Sequence, residues 1–306
     1  MLIEQFPGRR EWLAGRRKGI GGSDVAGILS LSSFRSPLQI WNDKVGISEL
    51  DDREDAPVAL RLRLGTKLEP VIAEVLEEEA GVKVERLSFA IASNPEFPGL
   101  LCSPDAWVIE PDGTKCLGEF KSADSSKGDE WEEGIPKDYL MQTQHNLGVT
   151  GLPAAYIACL IGGTRAFRWI RVERDEAMIE SLRNAALAFW EMVKNETPPE
   201  PTGAAGDAEA LQQRFPKQVP GKVLSLGPDE LDLTWELHKI KDELDALTDR
   251  ETQIKNLIRA KLGDAEEGVL PGGEGKWTWK LQSKKSFVVK EWEGRVLRAP
   301  SRPKNK

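Results

Sequence analysis

Two short runs of apolar and β-favouring residues, separated by a strong turn signal, constrain the fold of this chain more than any other feature. The runs cover residues 102–110 and 115–121, and Pro111-Asp112-Gly113 lies between them. Such runs on either side of an Asp-Gly turn predict a β-hairpin. We therefore expect the chain to build a sheet around these residues.

The predicted hairpin places three charged side chains near one another. Asp105 lies on the first strand, and Glu119 and Lys121 lie on the second. Because side chains alternate along a strand, Glu119 and Lys121 share a face, and Phe120 between them points into the packing. Two carboxylates and an ammonium suit phosphodiester hydrolysis, in which acidic oxygens hold a divalent cation and a cationic group positions or deprotonates the attacking water. By spacing alone, a surface ion pair on an exposed hairpin is the alternative.

Composition restricts the chemistry that is available. The 306 residues are 30% charged and 40% hydrophobic, which fits one sizeable α/β domain with an appendage. No apolar run approaches the ~20 residues of a membrane span and no signal peptide follows Met1, so we expect a cytoplasmic protein. With only two histidines, carboxylates must carry any catalysis. Three cysteines lack disulfide or zinc spacing and are expected to be reduced core residues: Cys102, Cys116 and Cys159.

The charge is unevenly distributed. A net charge of −8 at first sight opposes a nucleic-acid partner, but residues 276–306 contain ten Lys or Arg and only two acids. Basic residues there interleave with Trp277, Trp279 and Phe287, a pattern that suits a nucleic-acid backbone with stacking by the aromatic rings. A solvated basic tail is the alternative.

A basic helix followed by a glycine-rich turn is predicted near the N-terminus. Arg16 and Arg17 precede a glycine pair at positions 21 and 22. Ser23 or Asp24 is then expected to cap the next helix. Free backbone amides at such a helix start, beside arginines, suit a phosphate group. The alternative is a capped helix after a flexible turn with no ligand.

Glu69 has two interpretations. A helix is expected to begin near Thr66 and to run through Ala80, with Pro70 in its first turn, where the missing N–H is not needed. Thr66 and Glu69 have the spacing of a capping box, so Glu69 could serve only as a cap partner. The functional alternative places its carboxylate beside the two hairpin carboxylates as a third acid.

The remaining core elements follow from periodicity. Residues 82–93 predict one strand, and the polar segment 122–135 predicts a mobile loop over the site. The helix predicted over 136–149 carries Gln142 and Gln144, which lie about 200° apart, so only one can face the site. Two strands and an amphipathic helix that covers the sheet are expected to follow, over 154–161, 167–172 and 175–195.

The proline-rich segment 197–203 predicts a domain boundary. We expect a core over residues 1–200, an irregular linker over 201–228, and a helical and basic extension over 229–306. Residues 230–262 repeat apolar side chains at heptad-like spacing. This spacing favours either packing on the protein's own domain or helix–helix contact in an oligomer.

Five motifs occur in an order that resembles the YqaJ-like viral recombinase family, relatives of phage lambda exonuclease in the PD-(D/E)XK nuclease superfamily. The resemblance covers roughly residues 10–195 and implies an α/β fold, with a central mixed sheet flanked by helices. The motifs are Trp12…Arg16…Gly-Gly-Ser23-Asp24, Gly65-Thr-Lys-Leu-Glu69-Pro70, Ser103-Pro104-Asp105, Glu119-Phe-Lys121 and Gln142-Thr-Gln144.

The resemblance implies a metal-dependent active centre. Lys121 would orient or activate the attacking water, Glu69 would sit at the metal directly or through water, and Gln142 would be the helix residue turned toward the centre. The implied ligands of Mg²⁺, or of Mn²⁺ in its place, are Asp105, Glu119 and the backbone carbonyl of Phe120.

The resemblance also implies a grip on a terminal 5′-phosphate. Arg16, Ser23 and Ser103 fall at the corresponding positions, and Arg17 or Lys18 could take the role of Arg16.

A member of this family is expected to resect one strand of duplex DNA from its 5′ end. The product is a 3′ overhang for a single-strand annealing partner, in a bacterial cytoplasm and with a phage or prophage origin. A trimeric ring around DNA is implied as the oligomer. The alternatives are an endonuclease on the same core and a non-catalytic DNA-binding recombination scaffold. A Cas4-like nuclease with an iron–sulfur cluster would need more suitably placed cysteines.

Overall fold

The computed structural model describes residues 1–32, 34–50, 57–162 and 166–283. The chain forms two compact units, Met1–Phe215 and Pro216–Lys306. The helices are α1 (Arg9–Arg16), α2 (Gly22–Ile28), α3 (Pro37–Lys44), α4 (Pro57–Ala80), α5 (Gly128–Glu132), α6 (Lys137–Thr150), α7 (Glu176–Lys194), α8 (Ala205–Arg214) and α9 (Pro228–Leu262). The strands are β1 (Leu2–Gln5), β2 (Ile20–Gly21), β3 (Lys83–Arg86), β4 (Ala90–Ser93), β5 (Leu100–Cys102), β6 (Ala106–Ile109), β7 (Lys115–Ala123), β8 (Ala154–Ile161), β9 (Ala166–Glu173), β10 (Glu267–Val269) and β11 (Lys276–Thr278).

The first unit contains two sheets. A five-stranded mixed sheet has the order β3-β6-β7-β8-β9, in which only β7 and β8 run parallel, and α6 lies in the connection between them. A four-stranded sheet has the order β1-β4-β5-β2. The predicted α/β fold class, a mixed sheet with flanking helices and a long C-terminal helix, is confirmed.

The predicted hairpin is present, but its first strand is shorter than expected. Antiparallel pairs run from Ala106 opposite Gly118 to Ile109 opposite Lys115. The run of residues 102–110 does not form one strand, because it divides between the two sheets, β5 in one and β6 in the other. Asp105 therefore lies in the crossing between sheets, directly before β6.

The prediction of one strand over 82–93 is also wrong. The segment forms β3 in the five-stranded sheet and β4 in the four-stranded sheet. Phe89 between them has a φ of 50°, which a residue inside a strand does not adopt. Tertiary pairing with two different partners thus overrides the continuous β-favouring pattern.

Helix α4 begins earlier than predicted, because it starts at Pro57 rather than near Thr66. Pro70 consequently lies inside the helix rather than in its first turn, which corrects the capping-box interpretation of Thr66 and Glu69. The acidic, proline-containing residues 48–57 predict a surface loop before this helix, and residues 51–56 of it lie outside the described residues.

Helices cover both faces of the five-stranded sheet. On one face, Ile72 and Leu76 of α4 pack with Phe120 and Tyr156. The opposite face joins the larger cluster, in which Leu117 packs with buried residues of α6 and α7. Because Leu117, Glu119 and Lys121 alternate on one side of β7, the two charged residues face α6. The three cysteines are buried and free, as predicted.

Two segments predicted to lack regular structure contain helices. The linker predicted over 201–228 is not irregular throughout, because Ala205–Arg214 forms α8. Asn42 Nδ2 donates to the Ala210 carbonyl at 2.8 Å, which ties α8 to α3 within the first unit. The segment 122–135 contains the end of β7 and helix α5, whose Trp131 is buried against Tyr139. The mobility predicted for 122–135 remains a prediction.

The second unit contains α9 and the β10–β11 hairpin. Lys276 and Lys280 form ion pairs with Glu267 of this hairpin. Most of the predicted basic tail, residues 284–306, lies outside the described residues. None of the described helices combines the length and apolar character that a bilayer crossing requires.

Candidate active site

Strand β7 presents Glu119 and Lys121 toward α6 as a close ion pair. Lys121 Nζ lies 2.6 Å from Glu119 Oε1, and the Glu119 side chain is 2% exposed whereas that of Lys121 is 17% exposed. Lys121 Nζ also lies 5.0 Å from the centre of the Tyr139 ring. The carboxylate is thus fixed inside the protein, and the ammonium lies between it and solvent.

Helix α6 supplies two amides to the Glu119 carboxylate. Gln142 Nε2 donates to Oε1, and Asn146 Nδ2 donates to Oε2 at 3.1 Å. The side-chain oxygen Oε1 of Gln142 accepts a hydrogen bond from Lys121 Nζ at 3.2 Å. Residues four apart lie on the same helix face, so one stripe of α6 holds both oxygens of Glu119. Gln144 lies elsewhere, where its amide contacts the Glu173 carbonyl and the Asp175 N–H.

Asp105 is hydrogen-bonded to the backbone of the same strand, β7. Its Oδ2 accepts a hydrogen bond from the Phe120 backbone N–H at 2.7 Å. The β6–β7 ladder ends at the pair Ala106–Gly118, so the carboxylate takes the place of the next strand residue. The N–H and C=O of one strand residue point to the same side, so the Phe120 carbonyl also faces the Asp105 side of β7.

The electrostatics indicate an excess of negative charge. Burial, reinforced by the nearby Glu119 carboxylate, raises the pKa of Asp105 well above its usual range. Burial alone would lower the pKa of Lys121, but the carboxylates of Glu119 and Asp105 outweigh it and raise that pKa. The Asp105 carboxylate is therefore poorly solvated and lies beside a second negative charge, so a cation bound there would stabilise its charged form.

This donor set fits a hard divalent cation. Two carboxylates and a backbone carbonyl are oxygen ligands of the type that Mg²⁺ prefers, and Mg²⁺ commonly keeps several waters. The raised pKa of Asp105 is the observation that favours added positive charge here. Among the described residues, no group of three or more Asp, Glu, His or Cys side chains is arranged to hold a metal. A bound Mg²⁺ would therefore complete its shell with the carbonyl and water.

Glu69 lies at the edge of this arrangement. Its Oε2 is 3.9 Å from Arg86 Nη2, and burial raises the pKa of Glu69 although Arg86 and a hydrogen bond to Thr66 oppose the shift. Lys121 and Glu119 also act on its charge, which indicates that α4 directs Glu69 toward the site. The geometry leaves Glu69 paired with Arg86 rather than grouped with the other two acids.

Two of the residues predicted to bind phosphate, Arg16 and Ser23, are in contact beside the four-stranded sheet. Arg16 Nη2 lies 2.5 Å from Ser23 Oγ, and the Arg16 guanidinium stacks on Trp12. Strands β2 and β5 run parallel with Gly21 opposite Leu101, so Ser23 and Ser103 follow the same end of the pair. Arg17 instead binds Asp43 at 2.9 Å, which leaves Arg16 as the arginine directed at Ser23.

Asp24 has a different role from the cap expected for it. Gly21 is the N-cap of α2, and its N–H donates to Asp24 Oδ2 at 3.0 Å. The buried Asp24 carboxylate also lies 2.7 Å from Lys44 Nζ and 3.2 Å from Arg35 Nη1. Burial would raise the pKa of Asp24, but these cations hold it far below its usual range. The ion pairs thus anchor the start of α2, beside Ser23.

A close helix contact connects the two groups of residues. Gly22 of α2 packs on α6 so tightly that an added Cβ would collide with Asn146 and with the Gln142 carbonyl. The N-terminus of α2, with Ser23, therefore lies against the same stripe of α6 that holds Glu119. Gly22 is required for this approach.

Sequence reasoning did not identify Asn146 or Gly22 as parts of the site. The available signal for Asn146 was a second amide four residues after Gln142, on the helix predicted over 136–149. Gly22 was interpreted only as part of a turn, because its contact with α6 depends on tertiary structure.

Comparisons with known proteins identify the family. The model of the YqaJ-like viral recombinase domain matches residues 11–153. A relative from Bacillus subtilis (strain 168), the uncharacterized protein YqaJ, is 32% identical over 273 residues, which cover 88% of this chain and 83% of the relative.

Solved structures of exonucleases are also similar, at lower identity. The alkaline exonuclease LHK-Exo from Laribacter hongkongensis is 22% identical with a TM-score of 0.49, over 62% of this chain and 94% of that one. A phage related exonuclease from Haemophilus somnus 129PT is 13% identical with a TM-score of 0.37, over 58% of this chain and 96% of that one. On the strength of the sequence matches, this chain belongs to the YqaJ-like viral recombinase family.

Proposed function

We propose that this protein is a divalent-metal-dependent DNA exonuclease that digests one strand of a duplex from its 5′ end. The carrying observation is the convergence of Asp105, Glu119 and Lys121 at the end of the β6–β7 ladder, with Gln142 behind them. The resulting 3′ overhang would serve a single-strand annealing protein in recombination. Membership of a viral recombinase family supports this role.

The proposed chemistry divides between the strand and helix α6. Asp105, Glu119 and the Phe120 carbonyl would hold Mg²⁺, or Mn²⁺ in its place. Bound there, the cation supplies a water of lowered pKa and stabilises negative charge on the leaving 3′-oxygen. Lys121, kept protonated by the adjacent carboxylates, orients the attacking water and offsets charge developing on the phosphate.

The amides of α6 act through Glu119. Because Gln142 and Asn146 occupy one oxygen each, the carboxylate cannot rotate freely, and Gln142 also positions Lys121. Such partners of a metal-binding carboxylate typically affect metal affinity or activity by about 10–100-fold. Glu69 would contact the metal through water, with Arg86 beside it.

A 5′-phosphate would bind at Arg16, Ser23 and Ser103. The guanidinium and the two hydroxyls are suitable donors for a phosphate group. Since Gly22 fixes α2 against α6, a phosphate held there lies at a set position relative to Glu119. This arrangement favours cleavage at a fixed distance from a 5′ terminus.

A cleft next to Lys121, on the far side of the Tyr139 ring, is suited to a DNA end. It has a volume of about 540 Å³, continues from the end of β7 at Ser122, and is walled by Trp131 and Tyr139. Phe34, 64% exposed, lies at this cleft and offers a stacking surface for an unpaired base.

The test uses linear duplexes labelled at either end, with and without a 5′-phosphate, and a closed circular duplex. We expect digestion of the linear duplexes in Mg²⁺ but not in chelator, faster with a 5′-phosphate, and no cutting of the circle. Lys121→Ala should abolish digestion and retain DNA binding. Lys115→Ala, on the same strand but over the Trp107 ring, is the matched control.

Two results would overturn the proposal. Normal digestion by a correctly folded Lys121→Ala protein would reject the assigned chemistry. Cutting of the closed circle would identify an endonuclease, because an exonuclease has no terminus there.

A further inference from the structure

Helix α9 exposes an apolar stripe, interrupted at Glu251, that the first unit's chemistry does not use. The helix has 35 residues, and none of them is buried in the described part of the chain. Its apolar side chains recur with alternating spacings of four and three residues, the pattern of a coiled-coil seam. We call these positions the α9 seam: Leu233, Leu237, Ile240, Leu244, Leu247, Ile254 and Ile258.

The α9 seam needs a partner. Leu244 is 56% exposed and Leu247 is 66% exposed. Helical stability in proteins comes mainly from packing of an apolar face, and contiguous exposed apolar surface marks an interaction site. The charges that flank the seam identify the kind of partner.

A parallel pair of α9 helices would place like charges together. In the seam register, Glu251 occupies the same seam position in both helices, so the two carboxylates would face each other. Arg250 and Lys255 occupy the flanking positions that meet across a parallel pair, which adds two cation–cation contacts. One favourable pair, Glu236 with Lys241, does not offset these contacts.

An antiparallel pair removes every one of these conflicts. When Leu244 lies opposite Leu247 of the second copy, Leu237 lies opposite Ile254 and Leu233 opposite Ile258 by symmetry. All three layers are aliphatic.

The charges agree with the same register. Glu243 then meets Arg250 of the second copy on the flank, twice, and Glu230 meets Lys261 at each end of the seam. Glu251 falls opposite Ile240, and its carboxylate is already paired with Lys255 on its own helix.

We propose that two copies of this chain associate through α9 as an antiparallel two-stranded coiled coil, with its two-fold axis between Asp245 and Ala246. The partner is a second copy because one sequence supplies both the matched apolar layers and the matched charges. Such a contact is isologous, so α9 joins chains in pairs; if the chains also form the trimeric ring that the resemblance implies, α9 would link two such rings.

Cysteine cross-linking tests the orientation on the full chain, whose native cysteines are all buried. Leu237→Cys and Ile254→Cys proteins are prepared separately, mixed, and oxidised. The antiparallel register predicts a disulfide between the two variants in the mixture and none in either variant alone. Position 237 lies about 25 Å along the axis from its counterpart in this register, far beyond disulfide reach.

Charge reversal tests the register independently. Glu243→Arg and Arg250→Glu should each weaken self-association by about tenfold, and the double reversal should restore it. A parallel pair predicts the opposite sign for Arg250→Glu, which would relieve repulsion from Lys255. Association is measured by sedimentation equilibrium.

A matched pair of variants completes the test. Leu244→Asp should dissociate the particle, whereas Ala246→Asp, on the outer face of α9, should not. Self-linking of Leu237→Cys alone, a trimeric mass, or a monomer at all concentrations would overturn the proposal. A monomer would indicate that the seam is covered by the protein's own first unit or by another protein. Nuclease activity of Leu244→Asp is measured in parallel, so failure here is distinguishable from failure of the proposed function.

Discussion

Helices α6 and α9 both depart from the rule that apolar residues are buried and polar residues are exposed. Helix α6 buries polar residues, whereas helix α9 exposes apolar residues. In α6, four consecutive polar residues are buried: Thr143, Gln144, His145 and Asn146. In α9, the described residues include no buried position, although leucines and isoleucines recur along its length. Mean composition of a helix therefore does not identify its environment.

The difference lies in what each polar or apolar group contacts. The buried polar residues of α6 have specific partners, including Glu119 for Asn146 Nδ2 and the Leu101 carbonyl for His145, although the buried Asn146 Oδ1 has no partner among the described residues. Such partners offset the cost of burial and fix the helix against β5 and β7. In α9 the seam residues from Leu233 to Ile254 are exposed, and Ile258 is half-buried. We interpret α6 as a scaffold for chemistry and α9 as a surface for association.

The largest expected effect concerns the carboxylate that α6 holds. Glu119→Gln should lower the cleavage rate by at least about 10³-fold, because a metal ligand contributes several kcal/mol of transition-state stabilisation. Initial rates on a 5′-phosphorylated duplex in Mg²⁺ provide the measurement. Glu85→Gln, on the exposed strand β3, is the matched control. Equal loss in both variants would refute a specific role for Glu119.

The next prediction compares a buried leucine of α6 with an exposed leucine of α9. Leu147 in α6 is 0% exposed, so Leu147→Ala should lower the free energy of unfolding of the first unit by about 2–5 kcal/mol. Leu247→Ala in α9 should leave that transition unchanged and weaken only self-association. Urea unfolding of both variants separates the two outcomes. A similar loss in both would show that α9 contributes to the stability of the first unit.

A smaller effect is expected for Asn146, whose contact with Glu119 was not predicted from the sequence. Asn146→Ala should reduce activity by about 10–100-fold and raise the Mg²⁺ concentration for half-maximal rate. Gln144→Ala, two residues away, should leave the Mg²⁺ requirement unchanged, because its amide contacts Glu173 and Asp175 instead. A Mg²⁺ titration of the initial rate checks both. Unchanged Mg²⁺ dependence in Asn146→Ala would contradict the role assigned to it.

The smallest effect concerns pH. Burial lowers the pKa of His145 below 6.5, so the unfolded chain binds the proton more tightly than the folded one. The stabilising contribution is complete above pH 6.5 and is lost as pH falls through the lower folded pKa, by at most about 1.4 kcal/mol per pH unit. Urea unfolding between pH 8 and 5 should show this slope reduced in His145→Asn. His238→Asn in α9 is the control, and an equal reduction there would refute the assignment.

Much of the site could be predicted from local pattern. The Asp-Gly turn predicted the hairpin, strand alternation put Glu119 and Lys121 on one face, and helical geometry allowed only one of Gln142 and Gln144 to face them. These inferences depend on contacts within a few residues or on fixed periodicity.

The prediction errors arose where contacts with residues distant in the sequence determine the secondary structure. Residues 82–93 are β-favouring throughout, but they divide between two sheets. Pro70 suggested a helix start, although α4 continues through it from Pro57. Helix α8 differs, because its segment is rich in the strong helix formers Ala, Glu, Leu and Gln, and the Ala210 carbonyl also accepts a hydrogen bond from Asn42 of α3. The first two outcomes are not encoded in the local sequence.

The most direct test of the central claim is anomalous diffraction from crystals soaked in Mn²⁺. Our account predicts a peak within about 2.2 Å of carboxylate oxygens of both Asp105 and Glu119, with the Phe120 carbonyl in the same shell. The peak should vanish in Glu119→Gln crystals. Crystals of an active protein that bind Mn²⁺ elsewhere, with no peak between these two carboxylates, would contradict the account.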